Sequence, residues 1–183
     1  MTGTKHLKTK IVLVGEGAVG KTSLIRRYVR DTFEDDYLET LGAKVSKKTL
    51  EIRLSDGKPV VRLDMAIWDI MGQQRLRELL RDAYFGGAHG ILAVADLTRR
   101  ETLDDLYVWI DRFDRVVSQL PVVLVLNKAD LSRDAKFGEA DVARAARAFN
   151  AQTLVTSAKT GANVEEAFRR LGFLVAKRQL QEG

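Results

Sequence analysis

The stretch Gly15-Glu-Gly-Ala-Val-Gly20-Lys21-Thr22 satisfies G-x-x-x-x-G-K-[ST] in full, and nothing else in the chain narrows its fold as far. It follows the apolar run Ile11-Val-Leu-Val14 and opens the segment Lys21 to Arg30, where Leu24, Ile25 and Tyr28 share one helical face. A strand that turns through glycines into a helix aims consecutive backbone N–H groups at one point. The helix N-terminus adds a field that favours an anion. Gly15, Glu16, Gly17, Ala18, Val19, Gly20 and Ser23 are therefore expected to wrap a phosphate chain. Lys21 supplies a point charge for β- and γ-phosphates, and Thr22 offers a hydroxyl to Mg²⁺. The loop by itself leaves kinases, ATPases and GTPases open.

The rest of the chain reads as strands alternating with helices. Ala43 to Leu54 and Val60 to Ile70 are β-like and flank the turn signal Asp56-Gly57, which makes them antiparallel neighbours. Gly90 to Ala95 and Val122 to Leu126 are unbroken apolar runs, as in parallel strands covered on both faces. Thr98-Arg-Arg-Glu101 reads as a capping box ahead of Leu103, Leu106, Tyr107, Ile110 and Phe113. Gly138 to Phe149 reads as a helix. Asn163-Val-Glu-Glu166 opens another, with Val164, Ala167, Phe168, Leu171 and Val175 on one stripe. The order β-α-β-β-α-β-α-β-α-β-α predicts an α/β fold of the P-loop NTPase kind. Its sheet is six-stranded and mostly parallel, with one antiparallel edge strand and helices on both faces. Residues 10–178 are expected to form this one domain, preceded by a flexible segment 1–9 that holds His6 and followed by a tail 179–183. Ligands of such a sheet bind beyond the carboxyl ends of its strands.

Two loops fall at those ends. In Asn127-Lys-Ala-Asp130, the Asp130 carboxylate can accept hydrogen bonds from adjacent N1–H and N2 amine groups. Guanine has that edge and adenine does not, so a carboxylate desolvated there would reject adenine. Asn127 braces the loop and touches the base, while the Lys128 stem lies over the ring. Ser157-Ala-Lys159 follows a later strand, and the Ala158 N–H is placed to donate to guanine O6.

Composition removes competing classes. Cysteine is absent, which excludes a disulfide scaffold, a Cys-ligated zinc and a thiol nucleophile. Two histidines cannot build a His-rich metal centre. The net charge of +5 is spread along the chain and forms no dense basic stripe, so no nucleic-acid partner is expected. No apolar run approaches a membrane span, no cysteine is available for prenylation, and glycine stands at position 3, where N-myristoylation needs it at 2. The expectation is a cytoplasmic protein without a direct lipid anchor. His89 is read as structural at a strand entry, Trp68 as core packing, and Arg26, Arg27 and Arg30 as a solvated helix face.

Taken together, Gly15–Thr22, Thr40, Asp69–Gln73, Asn127–Asp130 and Ser157–Lys159 resemble the Ras superfamily of small GTPases in order and spacing, over Lys10 to Leu174. The phosphate loop is similar to the Rho branch, and Phe33 to Gly42 and Asp96-Leu-Thr98 to Ran and Rab; the mixture points to a prokaryotic, archaeal source. The resemblance implies a Mg²⁺-dependent GTP hydrolase acting as a switch. Thr40 would complete Mg²⁺ coordination with Thr22, Asp69 would hold the ion through water, and Gln73 would orient the attacking water. Gly72 would contact the γ-phosphate, Tyr37 would cover the phosphates, and Phe33 would pack edge-on to guanine. It also implies an effector, an exchange factor and an activating protein that meet the chain through Phe33–Thr40 and Asp69–Leu80. Ile70-Met71 departs from the usual Thr-Ala, and bulky Met71 beside the γ-phosphate raises the alternative of a GTP-dependent binding module with little hydrolysis. No arginine lies in Asp35 to Thr40, so intrinsic turnover is expected to be slow, with an arginine supplied in trans. A P-loop kinase would need a lid and an acceptor pocket, for which the chain has no insertion.

Overall fold

A computed structural model describes residues 4–34, 42–55, 60–70, 81–117 and 120–182. The elements run β1 (Lys5–Val14), α1 (Lys21–Arg30), β2 (Ala43–Arg53), β3 (Val60–Ile70), α2 (Arg81–Phe85), β4 (Gly90–Asp96) and α3 (Arg100–Val117). They continue with β5 (Val122–Asn127), a 3₁₀ turn at Ala129–Asp134, α4 (Glu139–Ala148), β6 (Gln152–Val155) and α5 (Val164–Glu182). The six strands form one sheet in the order β2-β3-β1-β4-β5-β6. β2 and β3 pair antiparallel, and the other pairings are parallel. This is the expected architecture, antiparallel edge strand included.

Alternation along β1 builds two cores. Ile11 and Leu13 face one side, where Leu24 of α1 and Phe168, Leu171 and Val175 of α5 cover them. Val12 and Val14 face the other, against Leu103, Leu106 and Trp109 of α3 and Phe149 after α4. β4 and β5 are buried at every position, because helices lie over both of their faces. The α5 stripe Val164, Ala167, Phe168, Leu171 and Val175 is wholly buried. Phe168 stacks on Tyr28 at 4.1 Å between ring centroids, locking α5 onto α1. Truncating Phe168 to alanine costs about 3–5 kcal/mol.

Three expectations need correction. Gln179 to Glu182 belong to α5 and not to a tail, because the helix runs on to Glu182. β1 starts at Lys5 rather than Ile11, so His6 and the other residues 5–9 belong to a strand. Its first half, Lys5-His-Leu-Lys-Thr-Lys10, pairs with β3 from Lys5↔Val61 onward. Lys8 and Lys10 lie on the face opposite Leu7 and Thr9, which point inward. Thr98 does not cap α3: its N–H and hydroxyl both go to Asp96 Oδ1, at 2.9 and 2.7 Å. The buried Asp96 carboxylate takes the hydroxyl, and the helix starts two residues later, at Arg100. His89 is structural, as expected: its Nδ1 accepts the Lys10 N–H at 3.0 Å, and its own N–H donates to the Lys10 carbonyl at 2.9 Å. The Lys10 ammonium lies 3.9 Å over the Trp68 ring and donates to the Gly86 carbonyl at 2.9 Å.

Candidate functional site

The parallel ladder collects the predicted loops at one edge of the sheet. Leu13 is level with Asp69, and Asp96 with Asn127, so β1, β3, β4 and β5 end together. Gly15, directly after β1, takes φ 149 and approaches β4 so closely that a Cβ there would lie 2.3 Å from the Val94 carbonyl oxygen. Gly20 takes φ 102, and its Cβ would lie 2.3 Å from Asn127 Nδ2. Only glycine lets the phosphate loop sit this close to both strands.

Lys21 opens α1 and is buried, with its Nζ donating to the Gly15 and Glu16 carbonyls at 2.8 Å each. Its ammonium thus lies inside the loop that it was expected to serve. The Gly17 N–H donates to Glu16 Oε1 at 3.1 Å. No acidic residue stands in the first turn of α1, and Gly20 provides no side-chain cap, so that helix end suits an anionic ligand. Thr22 Oγ1 donates to Asp69 Oδ2 at 2.5 Å, which brings together two of the three expected Mg²⁺ residues. A hydroxyl beside a buried carboxylate is a hard oxygen donor set, and it fits Mg²⁺, which binds through one or two protein groups plus substrate phosphates.

Asn127 is the hub of the base side. Its Nδ2 donates to the Val19 carbonyl at 3.0 Å, while its Oδ1 accepts Thr156 Oγ1 at 3.1 Å and the Ala158 N–H at 3.2 Å. One buried amide therefore joins the phosphate loop, the end of β6 and the Ser157–Lys159 loop. Ser157 donates to Asp130 Oδ1 at 2.6 Å and orients that carboxylate. Asp130 itself is exposed, whereas the expected discrimination against adenine needs a desolvated carboxylate. Lys128 takes φ 68, a left-handed conformation that side chains disfavour.

Asp96 and Arg27, neither of them expected at the site, complete the frame. Asp96, buried at the end of β4, receives Lys128 Nζ at 2.6 Å and Arg99 Nε at 3.2 Å on the same oxygen. Burial pushes its carboxyl pKa up, but the Lys128 and Thr98 hydrogen bonds outweigh that and hold it below the ordinary value. Arg27 does not lie on a solvated face. Its Nε donates to the Ala158 carbonyl at 2.9 Å and its Nη2 to the Lys159 carbonyl at 2.6 Å. Arg26 pairs with Glu34 at 2.7 Å near the surface. Phe33 is half-buried against the α1–α5 core. Tyr37, Thr40, Met71, Gly72 and Gln73 lie outside the described residues.

A family model described as the Ras family matches residues 10–177. The chain is 38% identical to the GTP-binding protein YPT1 of Saccharomyces cerevisiae over 175 residues, 94% of this chain and 79% of that protein.

Proposed function

On the premise that the chain belongs to the Ras family, as a Rab-like small GTP-binding protein that hydrolyses GTP and serves as a nucleotide-dependent switch, we propose how its residues share that work. Family membership favours hydrolysis over the non-hydrolysing module that Met71 suggested. The phosphate loop Gly15–Thr22 and Ser23 wrap the α- to γ-phosphates, with Lys21 neutralising the charge that spreads in the transition state. Thr22, Asp69 and Thr40 hold Mg²⁺, which when bound polarises the phosphate oxygens. Gln73 orients the attacking water. Thr40 and Gly72 tether the two switch segments while the γ-phosphate is present, and Tyr37 and Phe33 close over the phosphates and the base. An effector, an exchange factor and an activating protein act through Phe33–Thr40 and Asp69–Leu80. Among the described residues no helix is long and apolar enough to cross a membrane, and we place the chain in the cytoplasm.

The observation that carries this reading is the Asn127 junction. A guanine-reading loop bonded to the phosphate loop, and to the loop holding the Ala158 N–H, makes base and phosphate recognition one rigid unit. Asp130, oriented by Ser157, reads the N1–H and N2 amine of guanine. Asp130→Asn tests it. The amide turns one acceptor into a donor, which matches xanthine, where a carbonyl replaces the amine. The variant is expected to prefer XDP over GDP in competition for the site. An undiminished preference for GDP would overturn the assignment.

A further inference from the structure

Arg99 lies just before α3 and reaches across to the phosphate loop. Its Nη2 donates to the Gly17 carbonyl at 2.7 Å, and its Nε donates to Asp96 Oδ2 at 3.2 Å. The same Asp96 oxygen meets Lys128 Nζ at 2.6 Å. A single buried carboxylate thereby links the phosphate loop to the base loop through two cations.

The carbonyl that Arg99 holds shares a peptide unit with the Ala18 N–H. That peptide is trans, so the two groups point in opposite directions. With the Gly17 oxygen held by the guanidinium, the Ala18 N–H points away from Arg99. Ala18 takes φ 60, a left-handed conformation that its Cβ disfavours, and the Arg99 bond to the adjoining carbonyl helps hold it there. A guanidinium can serve both partners at once because its donors form a rigid fork; a lysine cannot span the two in the same way.

We propose that Arg99 is a positioning residue for the nucleotide: it fixes the Gly17–Ala18 peptide so that the Ala18 N–H donates to the phosphate chain, and it thereby slows GDP release. The inference deepens the guanine-nucleotide reading above and rests on it. Arg99 makes no contact with the reacting atoms in this role.

The test uses the full chain loaded with a fluorescent N-methylanthraniloyl GDP and chased with excess GDP. Arg99→Ala is expected to release it about tenfold faster, the worth of one charge-assisted hydrogen bond, with Arg99→Lys in between. Arg100→Ala serves as the control and releases at the wild-type rate, since among the described residues Arg100 pairs with exposed Asp104 and with Asp141. A role confined to helix packing is separated by ³¹P NMR: the β-phosphorus resonance of bound GDP shifts in Arg99→Ala if the amide is repositioned. Release at the wild-type rate, or faster release with an unmoved β-phosphorus resonance, overturns the inference alone. A wild-type chain that retains no GDP overturns the guanine-nucleotide reading along with it.

Discussion

Asn127→Ala is the sharpest probe of the frame. Its amide is 2% exposed and makes three hydrogen bonds, to the Val19 carbonyl, the Thr156 hydroxyl and the Ala158 N–H. At about 1 kcal/mol net for each, the variant loses about 3 kcal/mol, a factor of more than a hundred in the folded-to-unfolded ratio. The glycine at position 20 makes the prediction stricter. A Cβ there meets Asn127 Nδ2 at 2.3 Å and Cγ at 3.6 Å, and among the described residues beyond its chain neighbours it meets no other atom within 4 Å. Asn127→Ala deletes both atoms, so it removes the steric part of the Gly20→Ala penalty and leaves only the cost of φ 102. Urea unfolding of the four chains in this cycle is expected to show the double variant about 1–2 kcal/mol less destabilised than the sum of the singles. Additive losses would refute the claim that the phosphate loop is packed on this side chain. Asn127→Asp keeps an acceptor for Thr156 and Ala158 but sets a carboxylate against the Val19 carbonyl, so it is expected to unfold at least as easily as the alanine variant.

Three further outcomes follow from the same contacts. The Asp96 carboxyl is held below its ordinary value, so the stability it contributes is present above about pH 3.9 and is lost as the pH falls through its lower folded value. The gap in thermal stability between wild type and Asp96→Asn should therefore be widest near neutrality and close under acid; a gap constant down to the acid limit would count against the Lys128–Asp96 pair. For His89, burial lowers the imidazole pKa, Glu182 opposes that more weakly, and Lys10 adds to it. The folded chain thus binds this proton less readily than the unfolded one. Stability is full above about pH 6.5 and falls below it, and His89→Gln should flatten that slope in pH-dependent unfolding. Arg27→Ala frees the Ala158 and Lys159 carbonyls, so GDP release should quicken severalfold, by the worth of hydrogen bonds to a charged group; an unchanged rate in the same fluorescence chase would remove Arg27 from the site.

What could be read from the sequence was whatever depends on neighbours along the chain. β4 and β5 were legible because strands buried on both faces must be unbroken apolar runs. α5 was legible because its stripe keeps one helical period. The phosphate loop and Asn127–Asp130 were legible because their chemistry is contiguous. The first half of β1 was not, since three lysines and a histidine within Lys5–Lys10 look like a solvated terminus until β3 lies beside them. Arg27 and Arg99 were equally hidden. Their partners are backbone carbonyls 131 and 82 positions away, and a carbonyl carries no letter in a sequence. Thr98 misled for a related reason: the capping pattern was present, but a buried carboxylate two residues earlier claimed its hydroxyl.

The placement of Arg27 on α1 has a mechanical consequence. The helix begins with the lysine inside the phosphate loop, and its seventh residue, Arg27, grips the Ala158 backbone. It is a rod of ten residues, about 15 Å long, joined to the phosphate loop at its start and to the Ala158–Lys159 backbone near its far end. Tilting it slackens both grips in a single stroke. On the proposed reading, a partner that promotes nucleotide release would need only one point of leverage on this rod.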